Sequence, residues 1–152
     1  MSFGDIERRW PLRPIRLRTQ GRLKEEARMS LSVLVIEGDA TVARLFAEVF
    51  SQQGWDVYTP RDGKSVAVEL FGDRHFDIIT VSYYFPATNG VEIIRLIREI
   101  EHRKDTPVLM VTGGPATDEA LEAGANEVLS KPFDPRHLIA AVRKHSSSLV
   151  AP

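Results

Sequence analysis

The chain has 152 residues, 43% of them hydrophobic and 27% charged, so a single globular domain is the expectation. It contains no cysteine, which excludes a disulfide framework, thiolate metal sites and a cysteine nucleophile. No apolar run approaches the roughly 20 residues that span a bilayer, and no apolar core of a secretory signal stands near the start, so a cytoplasmic protein with no membrane contact is expected.

The net charge of −1 hides an asymmetry. Residues 1–28 carry seven Arg and one Lys against Asp5, Glu7, Glu25 and Glu26, a net of +4, which leaves −5 for the rest. This stretch has Pro11 and Pro14 and no sustained apolar period. It is expected to be a disordered basic extension, followed by a folded domain over 29–147 and a short tail over 148–152. Contact with nucleic acid through the basic arm is the sharper alternative to a merely solvated tail, and the less favoured one. Met29 sits directly before the first apolar run and is a second candidate start.

From Leu31 onward the pattern alternates. Leu31–Ile36 is a short β-rich apolar run, as expected of a strand buried on both faces. Thr41–Gln53 puts Val42, Leu45, Phe46, Val49 and Phe50 at helical spacing, and Gly54 ends it. Trp55–Thr59 reads as a second strand. Asp62–Gly72 reads as a helix with Val66, Leu70 and Phe71 inward. Phe76–Val81 is the third strand, expected at the centre, followed by a loop with Pro86 and Asn89-Gly90. Val91–Glu101 is amphipathic, with Ile93, Ile94, Leu96, Ile97 and Ile100 on its apolar side. Thr106–Val111 is a fourth strand, Thr117–Ala123 a brief helix and Glu127–Ser130 a fifth strand. Asp134–His145 is the last helix, with Asp134 at the N-cap position, Pro135 following, and Leu138, Ile139 and Val142 inward.

Five strands alternating with five helices predict an α/β fold with a doubly wound parallel sheet. Sites in such sheets lie at the carboxyl ends of the strands. The residues to inspect are therefore Glu37-Gly38-Asp39, Ser82-Tyr83-Tyr84, Thr112-Gly113-Gly114 and Lys131-Pro132. His75, His102, His137 and His145 are scattered without metal-ligand spacing and read as solvated. Gly113-Gly114 lacks the Gly-Lys-Ser/Thr or GxGxxG surroundings of a phosphate loop.

Four segments carry a resemblance: VLVIEGD at Val33–Asp39, FDIITVSYYFPATNG at Phe76–Gly90, VLMVTGG at Val108–Gly114 and GANEVLSKPFDP at Gly124–Pro135. From Leu31 to about Lys144 the chain resembles the receiver domain of two-component response regulators. The resemblance implies a flavodoxin-like sheet in the order 2-1-3-4-5. It also implies phosphoryl transfer from a histidine kinase to an aspartate ending the third strand, with Mg²⁺ held by acidic residues after the first. A Thr or Ser after the fourth strand and a Lys after the fifth would contact the phosphoryl oxygens. Those residue types suit the chemistry: a carboxylate nucleophile, a cation that offsets phosphoryl charge, and an ammonium point charge.

Alignment on Pro86 and Gly90 puts Ser82 at the phosphoacceptor position, and the acidic pair reads Glu37-Gly38. Two of three pocket carboxylates are therefore missing. A hard divalent cation wants several oxygen ligands and charge neutralisation, so Mg²⁺ binding is expected to be weak or lost, with no other cofactor. Asp39 lies one residue late, where the helix begins. Thr112 and Lys131 occupy the switch-hydroxyl and lysine positions. Lys131 is expected to pair with Glu37, and the resemblance implies a cis peptide before Pro132. Val128 stands where the family often has an aromatic rotor.

The sequence thus predicts a stand-alone, degenerate receiver domain, not an enzyme. It would bind signalling proteins, such as a histidine kinase or another regulator, through about Thr117–Lys144. A monomer or weak homodimer is expected. The alternative keeps phosphorylation or anion response through Asp39 or Ser82 with Thr112 and Lys131. A flavin site suits the topology only by analogy.

Overall fold

The computed structural model describes residues 30–146 apart from 115 and 116. The basic extension predicted over 1–28 and the tail predicted over 148–152 lie outside these residues. The large sheet has five strands. They are β1 (Ser32–Ile36), β2 (Asp56–Tyr58), β3 (Ile78–Ser82), β4 (Val108–Thr112) and β5 (Glu127–Ser130). The helices are α1 (Ala40–Gln52), α2 (Gly63–Phe71), α3 (Gly90–Glu99), α4 (Thr117–Ala123) and α5 (Pro135–Ser146). The strands are parallel and ordered β2-β1-β3-β4-β5, the predicted doubly wound α/β arrangement.

Every residue of β3 and β4 is buried, so these strands read as continuous apolar runs rather than alternating ones. Side-chain alternation then splits the core into two layers. Val33, Val35, Ile78, Leu109 and Val111 pack with Phe46 and Phe50 of α1 and with Leu138 and Val142 of α5. Leu34, Ile36, Ile79, Val81 and Met110 pack with Val66 and Leu70 of α2, Ile94 and Ile97 of α3 and Ala120 of α4. Phe46 meets Phe50 and Phe133 edge-on at 5.9 and 5.1 Å between ring centroids. Each such buried ring contributes about 2–3 kcal/mol of transfer free energy.

Two apolar residues expected inside face solvent: Leu45 is 44% exposed and Phe71 is 58% exposed. Helical spacing selects a broader arc than the one in contact. In α1 the buried arc runs through Val49, Phe46, Phe50 and Ala47, and Leu45 lies about 100° from Phe46 on the opposite side from Ala47. Phe71 is likewise one residue past Leu70, the last inward position of α2. Small strand-end differences also occur. β2 has only three residues, and β3 starts at Ile78 and runs through Ser82. Trp55 stays in the core at 6% exposure, with its ring 5.6 Å from Phe50.

Thr80 lies mid-strand in β3 at 1% exposure, and its hydroxyl has no hydrogen-bond partner among the described residues. A buried unpaired hydroxyl costs desolvation with no return. Thr80→Val removes that cost at nearly equal volume. It is expected to raise the unfolding free energy by about 1 kcal/mol, read as a higher urea midpoint at unchanged slope.

Two arginines fasten the amino-terminal end of the sheet. Arg98 of α3 donates to the carbonyls of Gly124, Lys104 and Thr106 and to Asn126 Oδ1. Arg103 is 2% exposed and donates to the carbonyls of Glu69, Leu70 and Gly72 at the end of α2. Burial pulls both guanidinium pKa values down, opposed by Asp105 at Arg98 and by Glu69 and Asp73 at Arg103. Both stay charged.

Candidate functional site

The segment after β3 shapes the carboxyl edge of the sheet. It forms a two-residue antiparallel ribbon, unforeseen in sequence, with Tyr84 opposite Asn89 and Phe85 opposite Thr88. Ala87 closes its turn at φ 65°. Asn89 caps α3 by accepting from the Glu92 amide at 3.1 Å, and the Gly90 amide donates to the Tyr83 carbonyl at 2.7 Å. Phe85 is buried in the core while Tyr84 is 71% exposed, its ring edge-on to half-buried Tyr83 at 4.9 Å.

The predicted site residues gather here. Ser82 is the last residue of β3 and is 5% exposed. Glu37 follows β1 directly and is equally buried. Its Oε1 accepts from the Asp39 amide at 3.0 Å, and its Oε2 lies 3.2 Å from Lys131 Nζ. Both carboxylate oxygens are thus engaged inside the protein. Lys131 keeps 28% of its side chain exposed, so this is a partly solvated pair rather than a fully desolvated one. Asp39 is the N-cap of α1, with Oδ1 accepting from the Thr41 and Val42 amides at 2.8 and 3.1 Å. That is the ordinary capping role of an aspartate before a helix.

Thr112 ends β4, buried, and its Oγ1 accepts from the Gly114 amide at 3.0 Å. Its carbonyl accepts from the Lys131 amide at 2.8 Å, which ties the two strand ends together. The Lys131–Pro132 peptide is cis, and Pro132 is exposed. Phe133 anchors this loop on Phe46 of α1. Val128 is half-buried in β5 and packs against the core layer shared by α2, α3 and α4.

Gly38 holds a feature that sequence reasoning missed. A Cβ at this position would lie 2.9 Å from the Tyr84 carbonyl oxygen, 3.3 Å from Pro86 Cδ and 3.4 Å from Phe85 Cα. The ribbon backbone fills the space a side chain would need. The glycine inside an acidic run is visible in the sequence, but its contact with a segment more than forty residues away is not.

The donor set does not fit the Mg²⁺ that the resemblance implies. Positions 38 and 82 supply no carboxylate, both Glu37 oxygens are committed, and Asp39 caps α1. No group of three His, Asp or Glu residues suited to a metal occurs among the described residues. His145, expected to be solvated, is instead mostly buried, with Nε2 3.6 Å from Glu127 Oε2.

Asp134 starts α5 and takes a different electrostatic role. Its side chain accepts from Arg136 through both guanidinium and backbone, which holds its pKa near 2, below the ordinary 3.8. The folded state therefore favours the ionised cap. Its stabilising contribution is complete above the unfolded value and is lost as pH falls from about 4 toward 2. A carbon-detected titration is expected to give a midpoint near 2, and Arg136→Ala should move it back toward 3.8.

The model of the response regulator receiver domain family matches residues 33–143. A curated relative is the phosphate regulon transcriptional regulatory protein PhoB of Pseudomonas aeruginosa, 27% identical over 115 residues. That match covers 74% of this chain and 50% of PhoB, so the chain spans about half the length of this relative. The receiver domain of the Francisella response regulator 1452 superposes with a TM-score of 0.70 at 26% identity, covering 79% of this chain and 99% of that one. The chemotaxis response regulator CheY4 of Vibrio cholerae gives 0.71 at 25% identity, covering 76% and 98%. No helix among the described residues is long and apolar enough to cross a membrane.

Proposed function

The chain belongs to the response regulator receiver domain family, and from that premise we propose that it acts in two-component signalling by protein–protein contact, without being phosphorylated. One observation carries this reading. Ser82 ends β3, where the family resemblance puts the acceptor carboxylate, and Glu37 after β1 has its oxygens already bound to Lys131 and to the Asp39 amide. A serine hydroxyl attacks a phosphoryl donor only with a base to take its proton. Glu37, the acid left in the pocket, is engaged with a cation. Asp39 is spent on the α1 cap.

The Lys131–Glu37 pair supports a resting arrangement that needs no ligand. In this reading Lys131 meets a built-in anion in place of an incoming one. The domain is then a binding module and not an enzyme. Its partners are signalling proteins such as a histidine kinase or another regulator, met through about Thr117–Lys144. Leu121, on the outer side of α4, is 46% exposed and belongs to that surface.

Mass spectrometry after incubation with Mg²⁺ and acetyl phosphate tests the proposal. The expected result is an unmodified chain under conditions that phosphorylate an ordinary receiver domain run in parallel. A phosphorylated Ser82 or Asp39 would replace this reading with an altered but working pocket that uses Thr112 and Lys131.

A further inference from the structure

We propose that two copies of this chain form a weak, reciprocal dimer in which Tyr84 of each copy enters a cleft between α2 and α3 of the other. The site lies outside the contact surface over 117–144, and it stands whether or not the chain is phosphorylated.

The cleft opens at the carboxyl edge of the sheet, where α2 and α3 begin. Its floor is Val66 and Ala67 of α2, Ile93 and Leu96 of α3 and Phe85 of the ribbon. Its volume is about 150 Å³, the size of an apolar cavity that holds one benzene ring. Small-molecule and cofactor pockets begin at roughly twice that size, so a single aromatic side chain is the better fit. Gly63 stands at the mouth, and a Cβ there would meet nothing within 4 Å, so the entrance is clear. Thr88 and Glu92, both exposed, form the polar rim, with Arg95 engaging Glu92 Oε1. An apolar floor beneath a carboxylate suits a phenol, which brings a flat apolar ring and one hydroxyl donor.

Tyr84 offers that phenol. It is 71% exposed, and its ring lies edge-on to half-buried Tyr83 at 4.9 Å, so docking costs it little rotamer freedom. Side chains alternate along the ribbon, so Phe85 points into the core beneath α2 and α3 while Tyr84 points away. The Tyr84 ring therefore does not fill the cleft of its own copy. A two-fold interface needs one surface that carries both halves of the contact. This edge of the fold carries them side by side, because Tyr84 directly precedes the Phe85 that floors the cleft.

Charge favours a second copy at this place. Residues 29–152 carry −5, which sets two copies against each other over most of the domain. Around the cleft the signs balance, with Asp62 and Glu92 against Lys64 and Arg95, so two such rims meet without net repulsion. Area sets the strength. Two tyrosines that bury about 150–250 Å² each, with the matching cleft walls, make an interface of about 600–1,000 Å². A stable complex needs roughly 1,200 Å² or more, so the dimer is transient.

Sedimentation equilibrium and amide NMR of the full chain from about 20 µM to 1 mM test the proposal. The average mass is expected to rise with concentration, with progressive shifts at Ala67, Tyr84, Thr88 and Glu92. Tyr84→Ala removes the ring and Ala67→Leu fills the cleft, and each is expected to weaken association at least about tenfold. Phe71→Ala, at an exposed ring at the other end of α2, is expected to leave it within about twofold. Reciprocity is read from isotope-labelled Tyr84→Ala, whose cleft is intact. Excess unlabelled Ala67→Leu, which keeps its ring, is expected to shift the cleft amides, and excess unlabelled Tyr84→Ala is not. Tyr84 lies on the surface, so Tyr84→Ala decides the matter even if Ala67→Leu does not fold. Three results would each overturn the proposal: a mass that stays monomeric up to about 1 mM, association that survives Tyr84→Ala, or cleft amides that respond alike to the two additions. None of these bears on phosphorylation, so the two readings fail separately.

Discussion

Gly90→Ala is expected to lower the unfolding free energy by about 3 kcal/mol. Gly90 is the first residue of α3, and its Cα rests on the end of β3. An added Cβ would overlap the Ser82 carbonyl oxygen and come within 2.8 Å of Met110 Cε. The first obstacle is backbone of the central strand, which is buried along its whole length. Relief requires α3 to back away, and α3 is held by Ile93, Ile94 and Ile97 in the core. It also requires breaking the 2.7 Å bond from the Gly90 amide to the Tyr83 carbonyl. Because the clash is with Ser82 itself, the Ser82 and Thr112 amides are expected to shift along with the loss of stability. Gly63→Ala is the matched control. A Cβ there meets nothing within 4 Å, so a change below about 0.5 kcal/mol is expected at this helix start. Urea unfolding of the two variants side by side checks the pair.

Arg103→Ala is expected to cost a similar amount, about 3 kcal/mol, by a different route. The last carbonyls of a helix have no partner within it. In α2 they are met by one guanidinium, which donates to Leu70 O at 3.1 Å, Glu69 O at 3.0 Å and Gly72 O at 2.9 Å. The same group lies 4.8 Å from the Phe76 ring centroid. Removing it takes the donor from the Glu69 and Leu70 carbonyls, leaves the Gly72 carbonyl to His102 Nε2 at 2.9 Å, and opens space beside a buried ring. α2 has few other anchors, since only Val66 and Leu70 of the helix are buried. Local loosening of α2 is therefore expected ahead of global unfolding, visible as faster amide exchange over 66–72. Arg103→Lys is expected to recover only part of the loss, because a lysine ammonium lacks the planar fork that spans separate carbonyls.

The fold was legible because its signals are local. Short β-rich runs bounded by turn residues locate all five strands, and Asp62 and Asp134 stand at the helix starts that the sequence predicts, whereas Asn89, read as loop, caps α3. The errors at Leu45 and Phe71 came from the edge of a helical stripe, where spacing alone does not say which side the sheet lies on. Arg98 and Arg103 carry no sequence signal of their own. A charged residue at a helix end looks solvated until the carbonyls it reaches, 26 and about 33 residues away, are placed beside it. The site divides in the same way. Ser82, Thr112 and Lys131 were recognisable because each ends or follows a strand. The ribbon was not, since two-residue pairing around Pro86 leaves no periodic trace. Its seat on Gly38 joins segments that meet only in the folded chain.

The most direct test of the central claim is an amide NMR spectrum of the unsubstituted chain before and after Mg²⁺ with beryllofluoride, which stands in for a phosphoryl group on an aspartate. A spectrum unchanged around Glu37, Ser82, Thr112 and Lys131 is the predicted result, and it would direct attention to partners bound without phosphorylation. Saturable shifts at those residues that spread into Thr117–Lys144 would contradict the account, because they would reveal a pocket that still binds and still switches.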